Sequence, residues 1–285
     1  MSQTWTIRSV LQWTQSYFKE KTLDTPRLDA EWLIGDALKV DRVRLYMDLD
    51  RPLTDAELAD IRERVRRRGK HEPVAYITGK RGFWKLDLAV DARVLIPRPD
   101  TERLVELAVE ALQGREAPRV VDVGTGSGAI ALSIAQERPD AVVLAIDLSQ
   151  DALAAAEANA VSAGLTHVTF VQGDVLGPAH DFRPDVILSN PPYIPSRECE
   201  TLMPDVRQFE PRLALDGGPD GLVIVRKLVA QAGALLAPGG ALLFEIGHDQ
   251  GEAAAALVRA DGRFGEAAVL KDYGGKDRVV RAARV

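Results

Sequence analysis

The 285-residue chain holds a single cysteine, Cys199, so no internal disulfide is open to it. Its four histidines, His71, His167, His180 and His248, match no metal-ligand spacing, and no metal site is expected. No apolar run reaches the ~18 residues that span a bilayer, which argues against a membrane protein. The opening Met1-Ser2-Gln3-Thr4-Trp5-Thr6 lacks a basic region followed by an apolar core, so no secretory signal is read and a cytoplasmic location is expected. Positive charge is also in short supply, with 36 Lys and Arg against 42 Asp and Glu, a formal net charge of −6. Gripping a long nucleic acid depends on neutralising phosphates, so stable nucleic-acid binding is not expected. Residues 1–75 carry 14 basic against 13 acidic side chains, so the acidity lies in the remainder, 22 against 29. One basic run, Arg62 to Lys70, reads as a solvated helix C-terminus, where cations complement the helix dipole, or as a docking surface.

At roughly 100–200 residues per domain, the length allows about two. The first 70 residues read as helices. Ile7, Val10, Leu11, Tyr17 and Phe18 recur at helical spacing after Thr4 or Thr6, and Pro26 opens a second helix with Leu28, Leu33, Ile34, Ala37 and Leu38. Thr54-Asp55-Ala56-Glu57 matches a capping box ahead of Leu58, Ile61 and Val65. The aromatics Trp5, Trp13, Tyr17 and Trp32 are read as core. Farther on, Phe83, Lys85, Asp87 and Ala89 alternate with Trp84, Leu86, Leu88 and Val90, a hairpin pattern with Asp91 as its turn. The expected plan is a helical bundle over 1–71, a hairpin joint over 72–97 and an α/β domain over 98–285.

Two features of that last part carry chemistry. Arg119–Val123 reads as a buried strand, Ala129–Ala135 as a helix, and between them lie Gly124, Thr125, Gly126, Ser127 and Gly128. Glycines there admit positive φ and let a ligand approach the backbone. The spacing is not the dinucleotide fingerprint, and no Gly-Lys-Ser/Thr follows, which excludes a phosphate-binding P-loop. The next strand, Ala141–Ile146, ends in Asp147, 19 positions past Gly128. An acid at that interval suits ribose hydroxyls, while Ser149 is the better helix cap. After a third strand, His167–Val171, Asp174 either accepts from an adenine amino group or is a solvated loop acid.

The second feature is Asn190-Pro191-Pro192-Tyr193, which follows the short apolar strand Asp185–Ser189. Two prolines end that strand and remove two donors. The Asn190 side-chain carbonyl and the Pro191 backbone carbonyl are then acceptors beside the Tyr193 ring, a set suited to a planar –NH2 group. As an isolated turn the tetrapeptide would mean little; downstream of a nucleotide loop it points to a substrate site.

In that order, Asp122 to Gly128, Asp147, Asp174 and Asn190 to Tyr193 resemble the class I S-adenosylmethionine-dependent methyltransferases. More narrowly, the chain resembles the release-factor glutamine N5-methyltransferases (the PrmC/HemK family). Glu72–Gly79, Leu95–Glu102, Phe209–Pro211 and Leu215–Gly218 support the narrower match. One departure is Val175, where many members carry an aromatic residue. The resemblance implies a seven-stranded Rossmann-like sheet with an antiparallel last strand, preceded by a helical domain that docks the protein substrate. It implies S-adenosyl-L-methionine as cofactor, held by Gly124–Gly128, Asp147, Asp174 and Asn190. Class 1 peptide release factors are the implied partners, methylated on the Gln of a Gly-Gly-Gln loop by Asn190, Pro191 and Tyr193, with Pro192 in the substrate site. A ribosomal-protein glutamine, or an exocyclic amine of adenine or guanine, is the alternative acceptor.

Overall fold

The structure, a computed structural model, describes residues 4–285. The reading of a leaderless start rests partly on residues 1–3, outside the described residues. The chain divides into two compact units. One runs to Gly79 and takes in Met203–Phe209; the other holds Lys80–Leu202 and Glu210–Val285. No helix among the described residues is long and apolar enough to cross a membrane.

The first unit is helical: α1 Ile7–Glu20, α2 Pro26–Leu38, α3 Arg42–Met47, α4 Asp55–Arg68 and α5 Val74–Thr78. Thr6 caps α1, sharing a capping box with Ser9, and Thr54 with Glu57 caps α4. Each box satisfies backbone donors that the first turn leaves orphaned. The core gathers Ile7, Val10, Leu11 and Phe18 of α1, Leu33 and Ile34 of α2, and Ile61 and Val65 of α4. Trp13 and Trp32 are not in it; they are 51% and 59% exposed, while Trp5 and Tyr17 are half-buried. On α2 the buried stripe runs through Ala30, Leu33 and Ile34, which turns Trp32 outward at 100° per residue. Trp13 lies off the α1 stripe and stacks on Tyr17, centroids 5.3 Å apart and rings within 7° of parallel.

The basic run closing α4 is not simply solvated. Arg64 pairs with Asp36 and Asp60, Arg66 with Glu63, and Arg67 with Glu72. Arg68 is buried, with its Nε 2.7 Å from Asp29 Oδ2 and an Nη1–H donated to the Glu72 carbonyl at 3.2 Å.

The unit reaches Gly79, so the expected joint over 72–97 divides: α5 belongs here and the hairpin to the second unit. The hairpin strands are β1 Lys80–Phe83 and β2 Leu86–Ala89, with Phe83 opposite Leu86. The turn therefore falls at Trp84-Lys85, with Trp84 at φ 54°, and not at Asp91. Two-residue turns favour Asn-Gly or Asp-Gly, and without that signal the alternation runs straight through the bend.

The second unit continues with α6 Glu102–Ala111, β3 Arg119–Val123, α7 Ala129–Glu137, β4 Val142–Asp147, α8 Gln150–Ala163, β5 Thr169–Gln172 and β6 Val186–Ser189. After the short α9 Pro204–Phe209 of the helical unit come α10 Val223–Leu235, β7 Ala241–Glu245, α11 Gly251–Asp261, β8 Ala268–Lys271 and β9 Asp277–Ala283. The sheet is seven-stranded in the order β5-β4-β3-β6-β7-β9-β8, parallel except that β9 runs antiparallel to β7 and β8. β3, β6 and β7 are buried along nearly their whole lengths, as a sheet covered on both faces requires. The strand order reverses about β3, where open α/β sheets bind ligands beyond the strand ends.

Asp29 and Arg68 are a nearly solvent-free pair, and removing Asp29 leaves Arg68 only the more distant Asp205 carboxylate, at 3.9 Å. Asp29→Ala should destabilise the helical unit by about 3–5 kcal/mol. Tryptophan fluorescence during urea unfolding is the readout, since three of the four tryptophans, Trp5, Trp13 and Trp32, lie in this unit. An unshifted midpoint would show that Asp205 and the Glu72 carbonyl suffice for Arg68.

Candidate active site at the strand ends

The loop after β3 is clamped to the end of β4. Gly124 and Thr125 both donate their N–H to the Ile146 carbonyl, at 2.8 and 3.0 Å. Gly128 opens α7 at φ +83°, and a Cβ there would lie 3.0 Å from Leu132 Cδ1, so the turn demands glycine. Asp147 closes the loop from the neighbouring strand: its Oδ2 accepts Gly126 N–H and its Oδ1 accepts Ser149 N–H, both at 2.9 Å. Burial raises the Asp147 carboxyl above its ordinary value, and these N–H groups oppose the rise. Each oxygen keeps a lone pair for a further donor. Ser149 caps α8, accepting from Ala152 N–H.

A cavity of about 180 Å³ lies against this loop. Gly124, Thr125, Gly126 and Ser127 line it, as do Asp147, Asp174, Asn190 and Pro192. Gly128, Pro191 and Tyr193 are not among its lining residues. The walls include Ile130, Ile146 and Leu148, and Val175 contributes an aliphatic side chain at φ +53°. Asp174 is exposed, and Lys227 Nζ lies 3.0 Å from its Oδ2.

The Asn190 loop is braced from outside. Ile194 N–H donates to the Leu215 carbonyl and Gly217 N–H to the Ile194 carbonyl. The Gln250 side chain donates Nε2–H to the Tyr193 carbonyl at 2.9 Å. Gly221 packs so tightly here that a Cβ would fall 2.2 Å from that carbonyl oxygen. Asn190 Nδ2 donates to Thr101 Oγ1 at 3.1 Å, Thr101 Oγ1 donates to Glu245 Oε2 at 2.6 Å, and Tyr193 OH donates to Glu245 Oε1 at 3.2 Å. Glu245, the last residue of β7, is buried, and burial raises its carboxyl while the Thr101 hydroxyl, the Arg278 charge and the Tyr193 hydroxyl oppose the rise. Burial and the Glu245 charge also raise the Tyr193 phenol, so Tyr193 is a donor here and not a base.

Along the sequence Thr101 stood out only as part of the Leu95–Glu102 stretch, with no role of its own, and Glu245 not at all. The available signal for Glu245 was a lone charge inside the apolar run Ala241–Ile246. Arg98, which lines the cavity and pairs with buried Glu210 at 2.5 Å, likewise had no role of its own within Leu95–Glu102. Nothing local announces that pair, because the partners lie 112 residues apart.

A family model described as the PrmC N-terminal domain matches residues 9–79, and one described as the methyltransferase small domain matches residues 103–205. The release factor glutamine methyltransferase of Geobacter sulfurreducens is 45% identical over 98% of this chain and 96% of its own. That of Moorella thermoacetica is 46% identical over 92% and 93%. Among solved structures, a methyltransferase from Pyrococcus furiosus superposes with a TM-score of 0.52 at 18% identity, over 70% of this chain and 89% of its own. The fold is shared with it.

Beneath the loop, Asp122 is fully buried. Its Oδ2 accepts the Thr125 hydroxyl at 2.7 Å and Ala131 N–H at 3.1 Å, while its Oδ1 has no partner among the described residues. Desolvation pushes this carboxyl up to about 7. A raised carboxyl stabilises the fold in its protonated form: the contribution is complete below its unfolded value and is lost as pH rises through about 7. Wild type should therefore lose stability against Asp122→Asn between about pH 4 and pH 8, by on the order of 4 kcal/mol. Urea midpoints of both proteins across that range give the answer, and a difference independent of pH would mean the carboxyl is ionised throughout.

Proposed function

The chain belongs to the release factor glutamine methyltransferase family, and from that premise we propose how its residues carry out the transfer. It is an S-adenosylmethionine-dependent methyltransferase of release-factor glutamine. The cavity fits the cofactor: it pairs apolar walls with an acid, Asp147, whose oxygens retain lone pairs, beside a loop where no Cβ at Gly126 would meet a neighbour. In this reading Asp147 accepts from the ribose hydroxyls and Gly124–Gly128 admit the amino-acid portion close to the backbone. Asp174 accepts from the adenine amino group, and Val175 gives that ring an aliphatic contact in place of the aromatic one common in the family. When bound, the sulfonium supplies an electrophilic methyl group.

The protein's task is then to present a poor nucleophile. An amide nitrogen shares its lone pair with its carbonyl, so it needs orientation and charge stabilisation. The Asn190 Oδ1 and the Pro191 backbone carbonyl each accept one N–H of the substrate glutamine, aiming its nitrogen and stabilising the positive charge that develops there. Holding the reacting atoms at ~3–3.5 Å provides much of the rest. The Tyr193 ring packs beside the substrate stem. No general base is required, because a methylated amide cation sheds its proton to water. The observation that carries this reading is the Asn190 side chain: its nitrogen donates to Thr101, which leaves its carbonyl free to accept, and the residue lines the cavity.

The acceptor glutamine is that of the Gly-Gly-Gln loop of class 1 release factors, docked by the helical unit, and the protein works in the cytoplasm. Relatives named for this activity along nearly the whole chain support that choice.

Asp147→Ala should weaken cofactor binding about ten- to a hundredfold, the worth of one hydrogen bond to a charged group. Calorimetry tests this directly, and an unchanged affinity removes the ribose assignment.

Asn190→Ala should lower kcat on the order of 10²–10³-fold while leaving the fold intact. With labelled S-adenosylmethionine, wild type should label an intact release factor and not its Gln→Ala variant. Equal labelling of the variant, or labelling of RNA or DNA instead, would overturn the glutamine reading in favour of another acceptor.

A further inference from the structure

Glu245 is the one charge in the apolar run Ala241–Ile246, and it is 1% exposed. An ionised carboxylate only accepts hydrogen bonds. The Arg278 charge and both hydroxyls favour the ionised form, in which the Thr101 and Tyr193 hydroxyls point their protons at its two oxygens. A counter-charge lies nearby: Arg278 stands next to Val279, the register partner of Glu245 on β9, and is shared with Asp100 and Asp272.

Thr101 has one hydroxyl proton, and Glu245 takes it. Toward Asn190, Thr101 Oγ1 can then only accept. The amide nitrogen meets that requirement at 3.1 Å. Rotating the amide by half a turn would set Asn190 Oδ1 against Thr101 Oγ1, two acceptors with no proton between them. The two orientations of an asparagine amide are nearly identical in shape, so packing alone discriminates poorly between them. Here a buried acid discriminates, acting through a hydroxyl.

Resting on the reading of Asn190 as the acceptor for the substrate amide, we propose that Thr101 and Glu245 are positioning residues that set the polarity of Asn190. They hold its nitrogen inward so that its carbonyl faces the substrate. A reversed amide would present –NH2 to the –NH2 of the substrate glutamine, donor against donor. Thr101 also lines the cavity, yet in this scheme it touches neither reacting group and acts through Asn190.

The test is a double-mutant cycle between Thr101→Val and Asn190→Ala, read as kcat and KM on an intact release factor. Thr101→Val keeps the side-chain shape and removes the hydroxyl. It should lower kcat by roughly tenfold or more, leave cofactor affinity and the KM for release factor within about twofold, and have no further effect once Asn190 is alanine. Thr101→Ser should restore most of the activity. If Asn190→Ala itself leaves kcat intact, the reading of Asn190 fails. If Asn190→Ala lowers kcat but Thr101→Val does not, or its effect multiplies fully with that of Asn190→Ala, the positioning role alone fails. Should Thr101→Val not fold, selective asparagine labelling of wild type decides the matter by NMR. A nuclear Overhauser contact between the Asn190 side-chain amide protons and the Thr101 methyl group is expected, and an amide rotated away from Thr101 would overturn the proposal.

Discussion

The pairing of β3 with β4 on one side and β6 on the other is the constraint on which the site depends. Its register sets Val123 opposite both Ile146 and Ser189. The next residue on each strand is Gly124, Asp147 and Asn190, so a glycine, an acid and an amide leave the sheet side by side. A slip of one residue would turn every side chain of a strand to the other face, and the buried aliphatic residues of β3 and β6 forbid it. Parallel pairing also means that all three strands deliver their carboxyl ends to the same edge. The cavity is the gap left where the strand order reverses.

Each carboxylate near that edge has a distinct electrostatic settlement. Asp122 leaves one oxygen without a partner among the described residues, and desolvation pushes its carboxyl up to about 7. Asp147 is offset by backbone N–H groups at the β4 end and so stays close to the glycine loop it braces. Glu245 is offset by two hydroxyls and by Arg278. Their work follows from those partners: Asp122 ties the loop to α7 through Ala131, Asp147 closes the loop and faces the cavity, and Glu245 orders hydroxyl protons next to Asn190. Buried charge is costly unless it is satisfied, so each arrangement is specific.

Much of this was legible along the chain. Strands such as Arg119–Val123 and Ala241–Ile246 are short apolar runs between turn signals, and capping at Thr54 and Ser149 follows from local hydrogen-bond chemistry. The glycine loop and the Asn190 tetrapeptide were equally plain, because backbone freedom and its loss are local properties. Misreadings arose where local signals were ambiguous. Trp13 and Trp32 are apolar, but their azimuth on the helix turns them outward. The hairpin bends at Trp84 without a turn residue to announce it.

Periodicity and composition thus determined by themselves the α/β character, the strands around the site, and which segments end in chemically useful residues, since each depends on neighbours a few positions apart; the seven-stranded plan came from the family resemblance. Only tertiary structure decided which of those residues share a cavity and which brace it from behind. Thr101 and Glu245 are separated by 144 residues and Asn190 and Thr101 by 89. No local rule couples such pairs, because the direction of a hydroxyl proton is set by whichever acceptor the fold brings to it.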